Sequence, residues 1–343
     1  MGEKRIIRIK SSDLMPYEKI GNSWKKINLE LPNAFQVIKL FKAHGRFSEL
    51  VDKKDSKFLK GQLFGKKCQG ARINILPNGE KIDKAYSLFA EDLTIHDESS
   101  HNHWDVIYKN PNGKYAYVYT LKKKRKASKE KYNLVKEFEK NYNAIDRKAY
   151  SNIGKKSMMP LAIIVLLKTF MRVGNEMFYR LHKSKGLTTL KKSDVIISGN
   201  RVKFKYLSKG GVPIETECEF PNSFISEFRN RLKKLKNNDF IFVGANGEPL
   251  KDIDFEKTFK EYCGIGFYPH IVRSYYATHR VEDFFKKNKR PDKKELKEFL
   301  LDVSEKLGHK RFNKKNNCWQ SSSTVTISHY INPKLVEKIE KFR

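Results

Sequence analysis

The second half of the chain carries guanidinium, ammonium and imidazole groups at spacings suited to gripping an anion, followed by a late phenol that could act on it. Arg172 sits in "MRVGNE", inside a run apolar enough to read as a buried helix. A guanidinium there needs a carboxylate partner or another anion, because a buried charge without one is expensive. Lys209 tops a turn in "LSKGGV", and "YPHIVRSYYATHR" puts Pro269 at a helix start with His270 and Arg273 three residues apart on one face. "KLGHK" ends a helix at Gly308 and sets His309 just beyond it, where the helix dipole favours a cationic imidazole. Taken singly, these have ordinary explanations, a structural ion pair for Arg172 and a capping role for His309. Tyr330 closes the series in "SHYINP".

Other segments invite different chemistry. "IHDESSHNHWD" gathers His96, Asp97, His101 and His103, but no ligand spacing in it is diagnostic, and a polar loop before a strand is the commoner origin, so no metal site is expected. "GQLFGKK" lacks the spacing of a phosphate-binding loop and HExxH is absent, so neither a bound nucleotide nor any other cofactor is expected. Cys68, Cys218, Cys263 and Cys318 form no CxxC pair, which suggests neither disulfides nor zinc and fits a reducing compartment. In "KYAYVYT", Tyr115, Tyr117 and Tyr119 alternate onto one face beside Lys114. A groove-reading surface would look like this, and so would packing into a small core.

The elements that must position these groups change character along the chain. Up to about residue 120 the pattern is short strands and turns, and "WDVIYKNPNGKYAYVYT" reads as a hairpin turning at Asn112-Gly113. The charge run "KKKRKASKEK" at 122–131 reads as a linker. Beyond it the apolar period becomes helical: Leu296, Phe299, Leu300, Val303 and Leu307 share a stripe, and "PLAIIVLLKTFMRVGNEMFYRL" is apolar on most faces. "RVKFKYLSKGGVPIETECEF" interrupts this as a β-hairpin with Lys209 at its tip. The expectation is an α+β protein. A small β-rich domain over 1–122 precedes a mainly helical domain over 123–343 with an inserted hairpin.

With 343 residues the chain can build a sizeable core. Its 71 Lys and Arg against 39 Asp and Glu give a formal charge of +32, well beyond what solubility needs, and predict a polyanionic partner, nucleic acid before membrane. The N-terminus lacks the apolar core of a secretion signal, and "MMPLAIIVLL" at 158–167 is too short to cross a bilayer, so a soluble intracellular protein is expected.

The order Arg, hairpin Lys, HxxR, LGH and late Tyr resembles the superfamily of type IB topoisomerases and tyrosine recombinases. The detailed match is to poxvirus and bacterial type IB topoisomerases, through "RVGNE", "SKGLTTL" and the lysine hairpin, with "SHYINP" similar to the bacterial nucleophile segment. The resemblance runs from about Tyr115 to the end. It implies that Arg172, Lys209, Arg273 and His309 surround the scissile phosphate of duplex DNA and that Tyr330 attacks it. It further implies that the N-terminal domain clamps the DNA, with Tyr115 and Tyr117 touching it and Lys114 a phosphate contact. A large DNA virus or a bacterium is a fitting source, with the protein in the cytoplasm, virion or viral factory, and a monomer is expected. The sequence departs from the family in having His270 where Lys is usual, which leaves a supporting role behind the phosphate's immediate contacts. "KRFNKKNNCWQSSSTVT" then lengthens the usual gap between histidine and tyrosine.

That chemistry suits these groups. Paired guanidiniums hold non-bridging oxygens as charge gathers in the transition state. A lysine can protonate the leaving 5′-oxygen, and a tyrosine with an unperturbed pKa near 10 needs a cationic pocket to act as nucleophile. A phosphotyrosyl ester keeps the energy of the broken bond, so resealing requires neither ATP nor metal. Two rivals are a site-specific tyrosine recombinase, favoured by His270 and "LGH", and a non-catalytic DNA-binding protein that uses charge alone. The β-rich first half and "SKGLTTL" weigh against the recombinase.

Overall fold

The computed structural model describes residues 5–96 and 103–342. The chain divides into two compact units, Met1–Lys129 and Glu130–Arg343. It is α+β, as its patterning predicts, with strands dominating the first unit and helices the second.

In the first unit an antiparallel sheet runs in the order β3-β2-β1-β4-β5, from β1 (Ile6–Ile9), β2 (Pro16–Ile20), β3 (Ser23–Lys26), β4 (Gln62–Phe64) and β5 (Lys67–Gln69). A pair, β6 (Ile73–Ile75) and β7 (Lys81–Tyr86), precedes a second sheet of β8 (Glu91–Ile95), β9 (Val106–Lys109) and β10 (Tyr115–Val118). The β9–β10 hairpin forms as read, with Tyr117 opposite Ile107 and Gly113 at φ +79° in its turn. One helix escaped the strand-and-turn reading. In α1 (Pro32–Ala43), Ala34, Val37, Ile38 and Phe41 recur at helical spacing and are buried, and the proline opens the first turn.

The charged run expected as a linker is instead the start of α2 (Leu121–Ser151), and the division between the units falls inside this helix. Lys and Arg are good helix formers, and Tyr132, Val135, Phe138, Ile145 and Ala149 supply the buried face farther along. In the second unit α3 (Met159–Thr169) is buried at every position but Lys168. It then stops at Phe170, whose φ of +56° breaks the helix, so Arg172 lies on a loop rather than on the helix predicted for it. After α4 (Glu176–His182) comes a three-stranded antiparallel sheet of β11 (Val195–Ser198), β12 (Arg201–Ser208) and β13 (Val212–Glu219). Its inner face carries Val202, Phe204 and Tyr206 into the main core.

Helices α5 (Asn222–Lys233) and α6 (Asp252–Cys263) pack on that core through Phe224, Phe228, Phe255 and Phe259. A second cluster joins α7 (Ile271–Lys287) and α8 (Lys293–Lys306), where Leu296, Leu300 and Val303 form the predicted stripe. The segment between His309 and Tyr330 is a hairpin, β14 (Lys310–Asn313) and β15 (Cys318–Ser321), leading into α9 (Thr324–Tyr330) and then α10 (Pro333–Glu340). Among the described residues no helix is long and apolar enough to cross a membrane.

Candidate active site

Each site residue is placed by a local feature of its sequence. Arg172 is held by two glycines that let two loop segments cross at contact distance. A Cβ on Gly186 would lie 2.6 Å from the Arg172 carbonyl oxygen, and one on Gly174 would lie 2.9 Å from the Thr189 nitrogen. Leu187 N–H then donates to the Arg172 carbonyl at 2.8 Å. The "RVGN" and "KGLTT" elements are thus one packed crossing. The Arg172 side chain is half-buried, and its guanidinium has no hydrogen-bond or ion-pair partner among the described residues, so the ion pair that its sequence setting allowed does not form.

Lys209 occupies the β12–β13 turn, where Gly210 and Gly211 take φ values of +77° and +75° that an ordinary residue would resist. It is exposed at the hairpin tip. His270 caps the start of α7, and Arg273 follows one turn inside.

Arg273 is only 2 % exposed, yet its partners are carbonyls and an imidazole rather than a carboxylate. Nη1 donates to Phe170 O, Nη2 donates to Leu307 O at 2.7 Å and to His309 Nε2 at 3.0 Å, and among the described residues Nε has no partner. Burial pulls its pKa down to about 10, with the Tyr330 phenol acting in the opposite direction and Arg172 reinforcing the fall.

Gly308, at φ +68°, ends α8 as read, and a Cβ there would strike Ile214 at 2.5 Å. His309 beyond it is not the cation that the helix dipole favours. Burial, then Arg273 and Arg172, push its pKa down to about 3, because the ring lies among cations rather than against an exposed helix end. His270 is held near the same value, about 3, by burial and by Arg273, Arg172, Lys131 and Lys209. Both imidazoles are therefore neutral in this state.

Tyr330 is where His309, His270 and Arg273 meet. Its ring, 3 % exposed, lies 4.8 Å from the His309 ring, 5.1 Å from the His270 ring and 5.2 Å from the Arg273 guanidinium carbon. Side chains from the adjoining helices hold the backbone around it. Lys131 Nζ donates to His329 O at 2.5 Å, Thr278 Oγ1 to Tyr330 O at 3.2 Å, and Tyr132 Oη to Ile331 O at 2.7 Å. Lys131 also sits 5.6 Å from the Tyr330 ring centre, and burial lowers its pKa to about 8. Sequence reasoning missed Lys131, Tyr132 and Thr278. Lys131 lay in the run taken for a linker, and only the heptad-like recurrence beginning at Tyr132 could have signalled a helix there.

In the first unit the candidate residues lie at the surface. Tyr115 and Tyr117 are about half exposed, at 48 % and 46 %, so their rings lie outside the core that the alternative reading would have put them in. Tyr115 Oη donates to Asp92 at 2.8 Å, and Lys114 lies exposed in the adjoining turn. Of the histidine-rich stretch, Asp97 and His101 lie outside the described residues, and among those described no group of acids, histidines or cysteines is placed to hold a metal ion.

A sequence model of the catalytic core of eukaryotic DNA topoisomerase I matches residues 120–340. The chain belongs to this topoisomerase I family. No curated protein matches this chain. Among solved structures it is similar to the XerH site-specific recombinase bound to difH substrate before cleavage, at 16 % identity and a TM-score of 0.36, over 60 % of this chain and 53 % of that one. The post-cleavage complex on palindromic difH gives 16 % and 0.35, over 58 % and 50 %. Both likenesses are remote, and this chain spans about half the length of these recombinase chains.

Proposed function

We propose that the protein is a type IB DNA topoisomerase that nicks one strand of duplex DNA through a 3′-phosphotyrosyl ester on Tyr330 and reseals it without ATP or metal. The observation that carries this reading is Arg273, a buried guanidinium with no carboxylate partner lying against a buried tyrosine. A buried cation left unneutralised by its own protein is a site waiting for an anion, and the unpartnered Nε is a donor still to be used.

Arg273 and Arg172 grip the non-bridging oxygens of the scissile phosphate and stabilise the charge that builds there. The cationic pocket favours loss of the Tyr330 phenol proton to solvent, the Oη then forms the new P–O bond, and the bond to the 5′-oxygen breaks. Lys209, at its exposed tip, gives that oxygen its proton. Once the bound phosphate's charge favours the protonated ring, His309 donates from Nε2 to a phosphate oxygen, and His270 supports Tyr330 from the other side. While the 3′ end is tethered, the free 5′ end rotates, relaxing supercoils of either sign. Resealing reverses the attack, with the 5′-hydroxyl displacing the phenol. The exposed Tyr115, Tyr117 and Lys114 serve DNA binding by the β-rich unit, and the protein works as a monomer.

The test is supercoiled plasmid with a chelator and no nucleotide. The reading expects a ladder of progressively relaxed topoisomers, lost in Tyr330→Phe while DNA binding persists. Recombinant products in place of a ladder would favour a recombinase, and Tyr330→Phe relaxing like the parent would remove Tyr330 as nucleophile.

A further inference from the structure

The far side of His309 leads into a buried chain of hydroxyls that the cleavage mechanism above does not use. His309 Nδ1 lies 2.8 Å from Thr326 Oγ1, Thr326 Oγ1 lies 2.7 Å from Ser304 Oγ, and Ser304 Oγ lies 2.6 Å from Leu300 O. Thr326 and Ser304 are both fully buried. We propose that Thr326, backed by Ser304, is a positioning residue that fixes His309 as the Nδ1–H tautomer and leaves Nε2 as the only nitrogen that exchanges with the reacting groups. Its meaning for cleavage rests on the topoisomerase reading of the site; the tautomer itself does not.

Every hydrogen in the chain can be placed from its two ends. A guanidinium only donates, so His309 Nε2, 3.0 Å from Arg273 Nη2, must accept. A neutral imidazole that accepts at Nε2 carries its hydrogen on Nδ1, and that hydrogen goes to Thr326 Oγ1. At the other end a carbonyl only accepts, so the Ser304 hydroxyl donates to Leu300 O. Thr326 must therefore donate to Ser304 Oγ. The direction runs from Arg273 through His309, Thr326 and Ser304 to the α8 backbone, with no donor facing a donor.

The surroundings agree. Arg273 from α7, Arg172 from its loop, His270 at the N-cap of α7, and His329 and Tyr330 from α9 act on the ring. Among the described residues no carboxylate is hydrogen-bonded to it to hold a proton on Nε2. If the negative charge of a bound phosphate later favours uptake of a proton from solvent, Nδ1–H still points at Thr326, so the change is confined to Nε2. Thr326 also lies one turn before Tyr330 on α9, so the residue that locks the histidine rides on the helix that carries the nucleophile. The lock is complete only when that helix is seated.

The full-length protein, labelled with 15N-histidine, reports the tautomer by long-range nitrogen–proton correlation, with the His309 signal assigned by its absence in His309→Gln. The expected result is Nδ1–H in the parent and in Thr326→Ser, and a shift toward Nε2–H in Thr326→Val. Single-turnover cleavage of a duplex should fall about 10- to 100-fold in Thr326→Val, the loss typical when a histidine's orienting partner is removed. Affinity should hold, and Thr326→Ser should restore the rate. A parent protein carrying Nε2–H overturns the proposal without recourse to any variant. So does Thr326→Val with an unchanged tautomer, which would leave Thr326 a packing residue, or a shifted tautomer with unimpaired cleavage. The parent in the Nδ1–H form but unable to cleave DNA would sustain the lock and defeat the topoisomerase reading instead.

Discussion

The floor of the site and its rim are built on opposite principles. Arg273, His309 and Tyr330 form a floor that is buried and tied to the backbone before any substrate arrives. Lys209 and the Arg172 guanidinium, the proposed rim, are exposed or half-buried and have no partner among the described residues. On the proposed mechanism a floor residue serves the fold as well as the reaction, whereas a rim residue serves the reaction alone. Mutations in the two places should separate stability from activity.

Removing the proposed nucleophile has the largest expected effect. Tyr330→Phe keeps the packed ring, so the fold and DNA affinity should be retained while covalent adduct and relaxation vanish; a gel-shift run beside a cleavage assay reads both. Next come the arginines. Loss of either should slow cleavage by about 10² to 10³, or about 3 to 4 kcal/mol, as for other donors that hold a developing charge. Arg273→Ala should also lower the unfolding midpoint in denaturant, because the Phe170 and Leu307 carbonyls lose their partner. Arg172→Ala should not. Equal destabilisation by both would erase the distinction between floor and rim.

Lys209→Ala should slow cleavage with little change in stability, and a substrate with sulfur in place of the leaving 5′-oxygen should recover most of the rate, since a thiolate leaves without a proton. Failure of that rescue would reassign Lys209 to plain charge stabilisation.

A smaller effect concerns pH. The folded His270 ring binds its proton near 3 and an unfolded histidine near the ordinary 6.5, so its contribution to stability is whole above 6.5 and drains as pH falls towards 3. Parent and His270→Gln unfolding free energies should diverge by up to about 1.4 kcal/mol per pH unit in that window. Parallel curves would mean the ring is not held neutral by the fold.

The parts of the site that follow from strong local rules were legible in the sequence. Glycines at 210, 211 and 308 dictate a turn and a helix end, and Pro269 marks the start of α7. Arg172 was misplaced because the apolar run of α3 gives no sign of its end at Phe170; the deciding contact is the Gly174–Gly186 crossing, which is tertiary. Lys131 was hidden in a run whose charge masked its helical propensity. Ser304 left a faint trace, a hydroxyl one turn after Leu300 on a buried stripe, where a polar group demands a partner. His309 was placed correctly, but its charge depends on neighbours from α7 and the Arg172 loop that no local pattern brings near.

The central claim, that these cations and one phenol act on a single backbone phosphate, is tested most directly by trapping the reaction. A duplex nicked so that the short leaving strand diffuses away should accumulate a covalent adduct, and mass mapping should find a 3′-phosphonucleotide on the peptide containing Tyr330. An adduct on another tyrosine, a 5′ linkage, or no adduct from a protein that still relaxes plasmid would contradict the account.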